Sequence, residues 1–241
     1  MPPTDDVQTR LIWYPQDSPS CPDAIEAIVP PYRLLYACRD PSAVLGIQHL
    51  ICDGIPSLIS IEALGRPAGA SPYVLGACAL TLGPAYKEAD GCWFTVAALT
   101  PDWGTWSCRI LTDTGTSLAW ETEFHIGGGP IIREHFVLAP SGLQYTTSLL
   151  WTVDGFRLQL PIPARAPGAD LLLSLDGPLL TVKTAQHCLR IRELTGTHRW
   201  FVEPLPWNRP HAVLWQQACL HSRQAVEYRV HIAMESLCAS S

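Results

Sequence analysis

Short apolar runs, each closed by a turn signal, fill most of this chain. Arg10-Leu11-Ile12-Trp13-Tyr14 reads as a first strand, stopped by Pro15. Pro22-Asp23 then precedes Ala24-Ile25-Glu26-Ala27-Ile28-Val29, with apolar residues gathered on one side, and Pro30-Pro31 ends the segment. A proline and an aspartate at the start and prolines at the end predict a helix of one or two turns. From there the pattern is strand and turn. Arg33–Cys38, Ala43–Cys52, Leu58–Leu64, Tyr73–Leu82 and Trp93–Leu99 are strand-like, and Gly65–Pro72 between two of them is a loop.

The middle of the chain alternates most cleanly. Ser107–Leu111 and Ser117–Ile126 flank Asp113-Thr114-Gly115 and predict a hairpin. Ile131–Leu138, Gln144–Val153 and Phe156–Pro161 follow, separated by Pro140-Ser141-Gly142 and Asp154-Gly155. Leu171–Leu175, Leu179–Lys183, Cys188–Leu194, Trp200–Glu203 and Glu227–Ala233 are further strands, whereas Pro210–Leu220 has helical spacing. Many strands, frequent turns and few helices predict a mostly β, β-rich α+β fold, a closed barrel or a large sandwich. No internal repeat or low-complexity linker divides the chain, so residues 1–241 are read as one domain.

Composition narrows the partners. With 47% hydrophobic and 16% charged residues the chain is globular, and it carries less charge than the roughly 25% of an average protein. A net charge of −6 argues against a nucleic-acid surface and against an anionic membrane. No apolar run reaches the length of a membrane span and the first residues are acidic, so neither a signal peptide nor a transmembrane helix is expected, and the expected location is the cytoplasm. Nine cysteines without a C-x-x-C pair, several of them inside apolar runs, fit reduced buried thiols.

Chemistry centres on Leu99-Thr100-Pro101-Asp102-Trp103-Gly104-Thr105-Trp106, where one carboxylate stands among indoles at a turn. A water-poor setting of that kind raises a carboxyl pKa and suits acid–base work. Glu121-x-Glu123-x-His125 places three ligand types on one strand face, but the solvent face of a hairpin explains it better than a metal, and no metal is expected. Glu134 and His135 are adjacent and so face opposite ways. Nucleophile-elbow, phosphate-loop and dinucleotide motifs do not occur. Ala139-Pro140-Ser141-Gly142-Leu143 resembles one dUTPase motif without its companions.

Leu11-Ile12-Trp13-Tyr14 followed by Pro22-Asp23-Ala24-Ile25-Glu26-Ala27-Ile28-Val29-Pro30 resembles the start of the acetoacetate decarboxylase-like family. His221–Val230 resembles that family's closing strand. The resemblance implies a single cone-shaped antiparallel β-barrel with a few short helices and an interior active site. By family spacing one glutamate falls near Gln48, a second on Glu62, and the imine-forming lysine on Asp102 behind Pro101; a family arginine falls on Arg10. Asp102 cannot form an imine, and the two lysines, Lys87 in a polar turn and Lys183, carry no partner signal.

The resulting expectation is a cofactor-independent enzyme acting on a small carbonyl or polyketide-type substrate in secondary-metabolite biosynthesis. Glu62 and Asp102 would be its acid–base pair, and Arg10, Gln48, Tyr73, Trp103 and Trp106 its substrate contacts. Cyclisation, isomerisation, dehydration and decarboxylation all fit such a pair. The alternative is a non-catalytic barrel, lipocalin-like or dUTPase-like, that binds a hydrophobic ligand or a protein; nine tryptophans and low charge suit it equally.

Overall fold

A computed structural model describes residues 9–14, 23–38, 46–53, 55–60, 82–87, 91, 93–95, 104–151, 153–161, 172–184, 186–196, 198–204, 210–215 and 226–237. These contain strands and turns and no helix. In chain order the strands are β1 (Arg10–Tyr14), β2 (Ala24–Val29), β3 (Tyr32–Ala37), β4 (Gly46–Cys52), β5 (Ile55–Ser60), β6 (Gly83–Lys87) and β7 (Trp93–Thr95). Next come β8 (Gly104–Asp113), β9 (Leu118–Ile126), β10 (Ile131–Ala139), β11 (Gly142–Leu150) and β12 (Gly155–Pro161). The last six are β13 (Leu172–Asp176), β14 (Leu179–Lys183), β15 (His187–Glu193), β16 (Arg199–Pro204), β17 (Pro210–Trp215) and β18 (Val226–Ser236).

They form three antiparallel sheets. The first is the meander β1-β2-β3-β4-β5; the second has eight strands in the order β13-β14-β15-β18-β11-β10-β9-β8; the third runs β16-β17-β12-β6-β7. Both five-stranded sheets lie against one face of the eight-stranded sheet. That face is set by period-two alternation: Leu118, Trp120, Thr122 and Phe124 on β9 and Ile132, Glu134, Phe136 and Leu138 on β10 are buried, and the residues between them are not. The first sheet docks through Tyr36, whose ring is 5.2 Å from Phe136 and 6.2 Å from Trp106. It docks again through Tyr32, whose hydroxyl donates to the Met234 carbonyl at 3.3 Å and accepts the Met234 N–H at 3.0 Å. The third sheet docks through Phe156, 5.3 Å from Tyr228, whose hydroxyl donates to the Phe156 carbonyl at 2.6 Å. Tyr228 and Glu134 flank Thr147 in one cross-strand row, so the two smaller sheets share a single buried face.

Two glycines mark close approaches. A Cβ on Gly142, where φ is +130°, would lie 2.2 Å from the Ile232 carbonyl oxygen of the neighbouring strand. On Gly155 it would lie 3.0 Å from the Trp93 indole.

The hairpin over 107–126 and the strands that follow it form as the alternation predicts. The expected helix over 24–29 is instead β2, and the helical spacing of 210–220 contains β17. In β2 the apolar residues serve both periods, and strands on either side supply backbone partners that a two-turn helix would lack. Asp23 caps no helix; its carbonyl accepts the Cys38 N–H at 2.8 Å. Lys87, expected in a polar turn, ends β6 and pairs with Gly155 and Trp93. Nor is a closed barrel found: each sheet has two edges among the described residues. Closure needs first-to-last pairing, and here β18, late in the chain, is drawn into the centre of the large sheet. Cys38, Cys52, Cys108 and Cys188 are thiols, and burial pushes the Cys108 thiol up to about 12, which leaves it unreactive. No helix among the described residues is long and apolar enough to cross a membrane.

Candidate binding site

Glu62, Tyr73, Asp102 and Trp103 lie outside the described residues. Arg10 is exposed at the start of β1, and Gln48 is half-buried on β4, its amide donating to the Gly46 carbonyl at 3.1 Å. Two strands separate β1 from β4, a spacing of about 14 Å, so these two do not form one anchor pair. Trp106 is buried on β8, stacked on Phe124 with ring centroids 4.5 Å apart. Through the edge of Tyr36 it borders a polar cluster that sequence patterning does not bring together.

That cluster is centred on Glu134, which is 2% exposed. The Tyr36 hydroxyl, from the first sheet, and the Tyr145 hydroxyl, from β11, both donate to its carboxyl. The Thr122 hydroxyl is 3.5 Å from that of Tyr36. Burial pushes the Glu134 carboxyl above its ordinary range despite the two phenol donors, and burial beside Glu134 pushes both tyrosines well up. Aromatic rings close it in, with Trp120 and Phe136 stacked 4.8 Å apart. Every carboxyl oxygen has a partner, and the group is sealed. It fastens two sheets together rather than meeting a ligand.

A second buried carboxylate, Glu193, is equally occupied. Burial would raise it, but the Thr195 hydroxyl, the Thr195 N–H at 2.7 Å and the Gly196 N–H at 2.6 Å donate to it and hold it below its ordinary range. Glu121, Glu123 and His125 stand on the outer face of the large sheet, as the hairpin pattern predicts. Glu121 pairs with Arg109 at 3.1 Å, and Glu123 holds both His125 and Arg133. They make a surface ion ladder.

The third sheet differs. On β12, Phe156, Leu158 and Leu160 face the large sheet, so Arg157 and Gln159 take the other face. Both are buried nonetheless, at 5% and 1% exposure. The Arg157 guanidinium lies over the Trp93 indole, 3.9 Å from its centroid, and the indole reaches across the bare backbone of Gly155. Neither the nitrogen nor the oxygen of the Gln159 amide has a hydrogen-bond partner among the described residues. Its cross-strand neighbour on β6 is Gly83, which places no side chain beside it. Trp151, 48% exposed, stands at the turn leading into β12. Arg157 and Gln159 are thus closed off from solvent, and the half-buried Trp93 and the exposed Trp151 are the indoles here on which a flat, hydroxyl-bearing ligand could stack. Sequence alternation displays Arg157 and Gln159 as ordinary outward residues; their burial is a tertiary property that no local signal carries.

No family model and no curated protein matches the chain. Among solved structures, a heparinase III gene product is similar over 87% of this chain, with a TM-score of 0.57 and 10% identity. Heparan sulfate lyase HepC from Pedobacter heparinus matches 90% with a TM-score of 0.58 and 7% identity. The α-N-acetylgalactosaminidase NagBb from Bifidobacterium bifidum matches 88% with a TM-score of 0.55 and 13% identity. This chain spans about a third of each of them, 34%, 36% and 36% respectively. At these identities the likeness is one of fold, an antiparallel multi-sheet β architecture. These are other enzymes than the acetoacetate decarboxylase-like family that the N-terminal motifs resemble.

Proposed function

We propose that this chain is a saccharide-binding β domain whose ligand lies against Trp93 at the β7 edge of the third sheet. The observation that carries the reading is the pair of accessible indoles at this end of the sheet, Trp93 half-buried on β7 and Trp151 exposed at the turn into β12. The C–H face of a sugar ring stacks on indole while its hydroxyls stay free to hydrogen-bond polar groups and water at the rim. The names of the similar structures, a heparan sulfate lyase and an α-N-acetylgalactosaminidase, support the same ligand class.

Retention on a glycan array, followed by calorimetry with the best glycan, tests this. Trp93→Ala should weaken binding by about tenfold or more, which corresponds to roughly 1.4 kcal/mol. A wild-type chain that retains no glycan, or a Trp93→Ala variant that binds as well as wild type, would end the proposal.

A second reading, acid–base catalysis on a small carbonyl or polyketide-type substrate, draws support from the sequence, where Asp102 stands among indoles. It assigns the chemistry to Glu62 and Asp102. Glu62→Gln and Asp102→Asn should then abolish turnover of such substrates with little change in melting temperature, and unaltered turnover would dismiss it.

A further inference from the structure

A sheet edge is a row of unpaired N–H and C=O groups, and proteins blunt such edges with basic residues, prolines, bulges or short strands. The edges of this fold are blunted unevenly. β1 carries Arg10, β5 carries Pro56, and β16 carries Arg199 and Pro204. β8 has Arg109 and a register shift between Ile110 and Thr112, and β7 is only three residues long. The β13 edge of the large sheet, Leu172-Leu173-Ser174-Leu175-Asp176, has no basic residue, proline or register shift. Nothing pairs with its outer side among the described residues, and Leu172 and Leu175 are 67% and 39% exposed.

We infer that this edge pairs with the same edge of a second copy of the chain, β13 against β13 about a two-fold axis through Ser174. The register follows from the hairpin. The two-residue turn Gly177-Pro178 makes Asp176 and Leu179 a hydrogen-bonded pair, and alternation along the ladder turns the backbone groups of Ser174 and Leu172 towards β14 as well. The N–H and C=O of Leu173 and Leu175 are left on the outer side. The axis sets Leu173 opposite the partner's Leu175, and Leu175 opposite the partner's Leu173, so that these outward groups satisfy one another. It is the register in which both leucines of each copy find a mate within the strand.

The side chains agree with it. On the inner face Leu175 falls between Leu180, its buried neighbour on β14, and the partner's Leu173, which carries the apolar layer across the axis. On the outer face Lys183, Leu172 and the partner's Asp176 fall in one cross-strand row, with cation and anion two strand spacings or about 10 Å apart at Cα. Symmetry repeats the row on the other side, so the edge is complementary to itself in charge as well as in backbone. Five residues a side bury less than the roughly 1,600 Å² of a standard interface, so the dimer is reversible and forms at about micromolar concentration or above.

Sedimentation of the full chain from micromolar to near-millimolar concentration should show the mass rise from one copy to two. Leu175→Pro removes an N–H that faces the edge and none that β14 uses. It should weaken dimerisation about tenfold or more while melting within a few degrees of wild type. In Ser174→Cys the two thiols meet at the axis as a non-hydrogen-bonded pair with Cα atoms about 4.5 Å apart, so mild oxidation should link two chains covalently. Leu172→Cys places its thiols roughly 14 Å apart and should link no more than wild type does.

A chain that sediments as one copy at every concentration, because another segment of it or a different protein takes this edge, overturns the inference. So does a Leu175→Pro variant that dimerises as well as wild type, or a Ser174→Cys variant that cross-links no better than Leu172→Cys. If Leu175→Pro fails to fold, the cysteine comparison, which leaves every backbone N–H in place, decides alone.

Discussion

Two buried polar sites in this fold are built in opposite ways. Around Glu134, two phenols converge from two sheets on one carboxyl and the arrangement is complete. Around Gln159, the protein buries an amide that finds no partner among the described residues, while setting a cation and an indole beside it. A saturated polar cluster in low dielectric rigidifies and specifies a core, whereas an unsaturated one costs stability until something external reaches it. Burial alone therefore says little about function. The Glu134 carboxyl has spent both its oxygens on phenols, whereas the Gln159 amide has spent neither of its atoms among the described residues.

The sharpest way to break the comparison is to empty the saturated site. Glu134→Ala should destabilise the fold by about 3–5 kcal/mol, combining a cavity with two orphaned buried phenols, and denaturant unfolding would show it. A loss below about 1 kcal/mol would mean that the cluster is not a fastener.

Next in size is the pH response, which should differ in sign between the two buried carboxyls. Glu134 holds its proton more tightly folded than unfolded. Its contribution is fully present below the unfolded value of about 4.3 and is lost as pH rises through the folded value. Glu193 is held low, so its contribution is present above about pH 4.3 and is lost as pH falls through the folded value. Melting curves of Glu134→Gln and Glu193→Gln against pH should flatten on opposite limbs. Matching changes in the two variants would contradict the assigned directions.

A smaller effect is expected at Gly155. Alanine there meets the Trp93 indole at 3.0 Å and must displace it. Glycan affinity should fall several-fold while stability changes by about 1 kcal/mol, as for mild overpacking. Unchanged affinity would detach Trp93 from the ligand. Smallest of all is Arg133→Met on the outer ladder: an exposed ion pair with Glu123 is worth roughly 0.2–1 kcal/mol and should fade in salt.

Legibility from sequence varies along the chain. Between residues 118 and 139 near-strict alternation and a glycine-bearing turn make the strands readable, because β9 and β10 each bury one face only. Ala24–Val29 misleads, since six residues bounded by prolines fit a helix turn and a buried strand alike, and the choice is made by β1 and β3. Barrel against open sheets is not legible, because which strands become edges is decided by distant pairings such as β11 with β18. At the candidate site the residues are visible but their circumstances are not. Phe156-Arg157-Leu158-Gln159-Leu160 looks like a half-exposed strand, and nothing local reveals that its polar side is shut away. Glu134 carries a readable hint: it occupies an apolar position of its alternating strand, between Ile132 and Phe136.

The placement of β18 has a consequence for how the chain is made. Sheet β1-β2-β3-β4-β5 is complete once Ser60 has left the ribosome, but the large sheet waits for Val226–Ser236 to slot between β15 and β11. Until then four strands on one side and three on the other each present a bare inner edge, the geometry most prone to pairing with a neighbouring nascent chain. A premature stop between Glu193 and Val226 would therefore sever the sheet at its middle, and both halves would be left seeking the same missing partner.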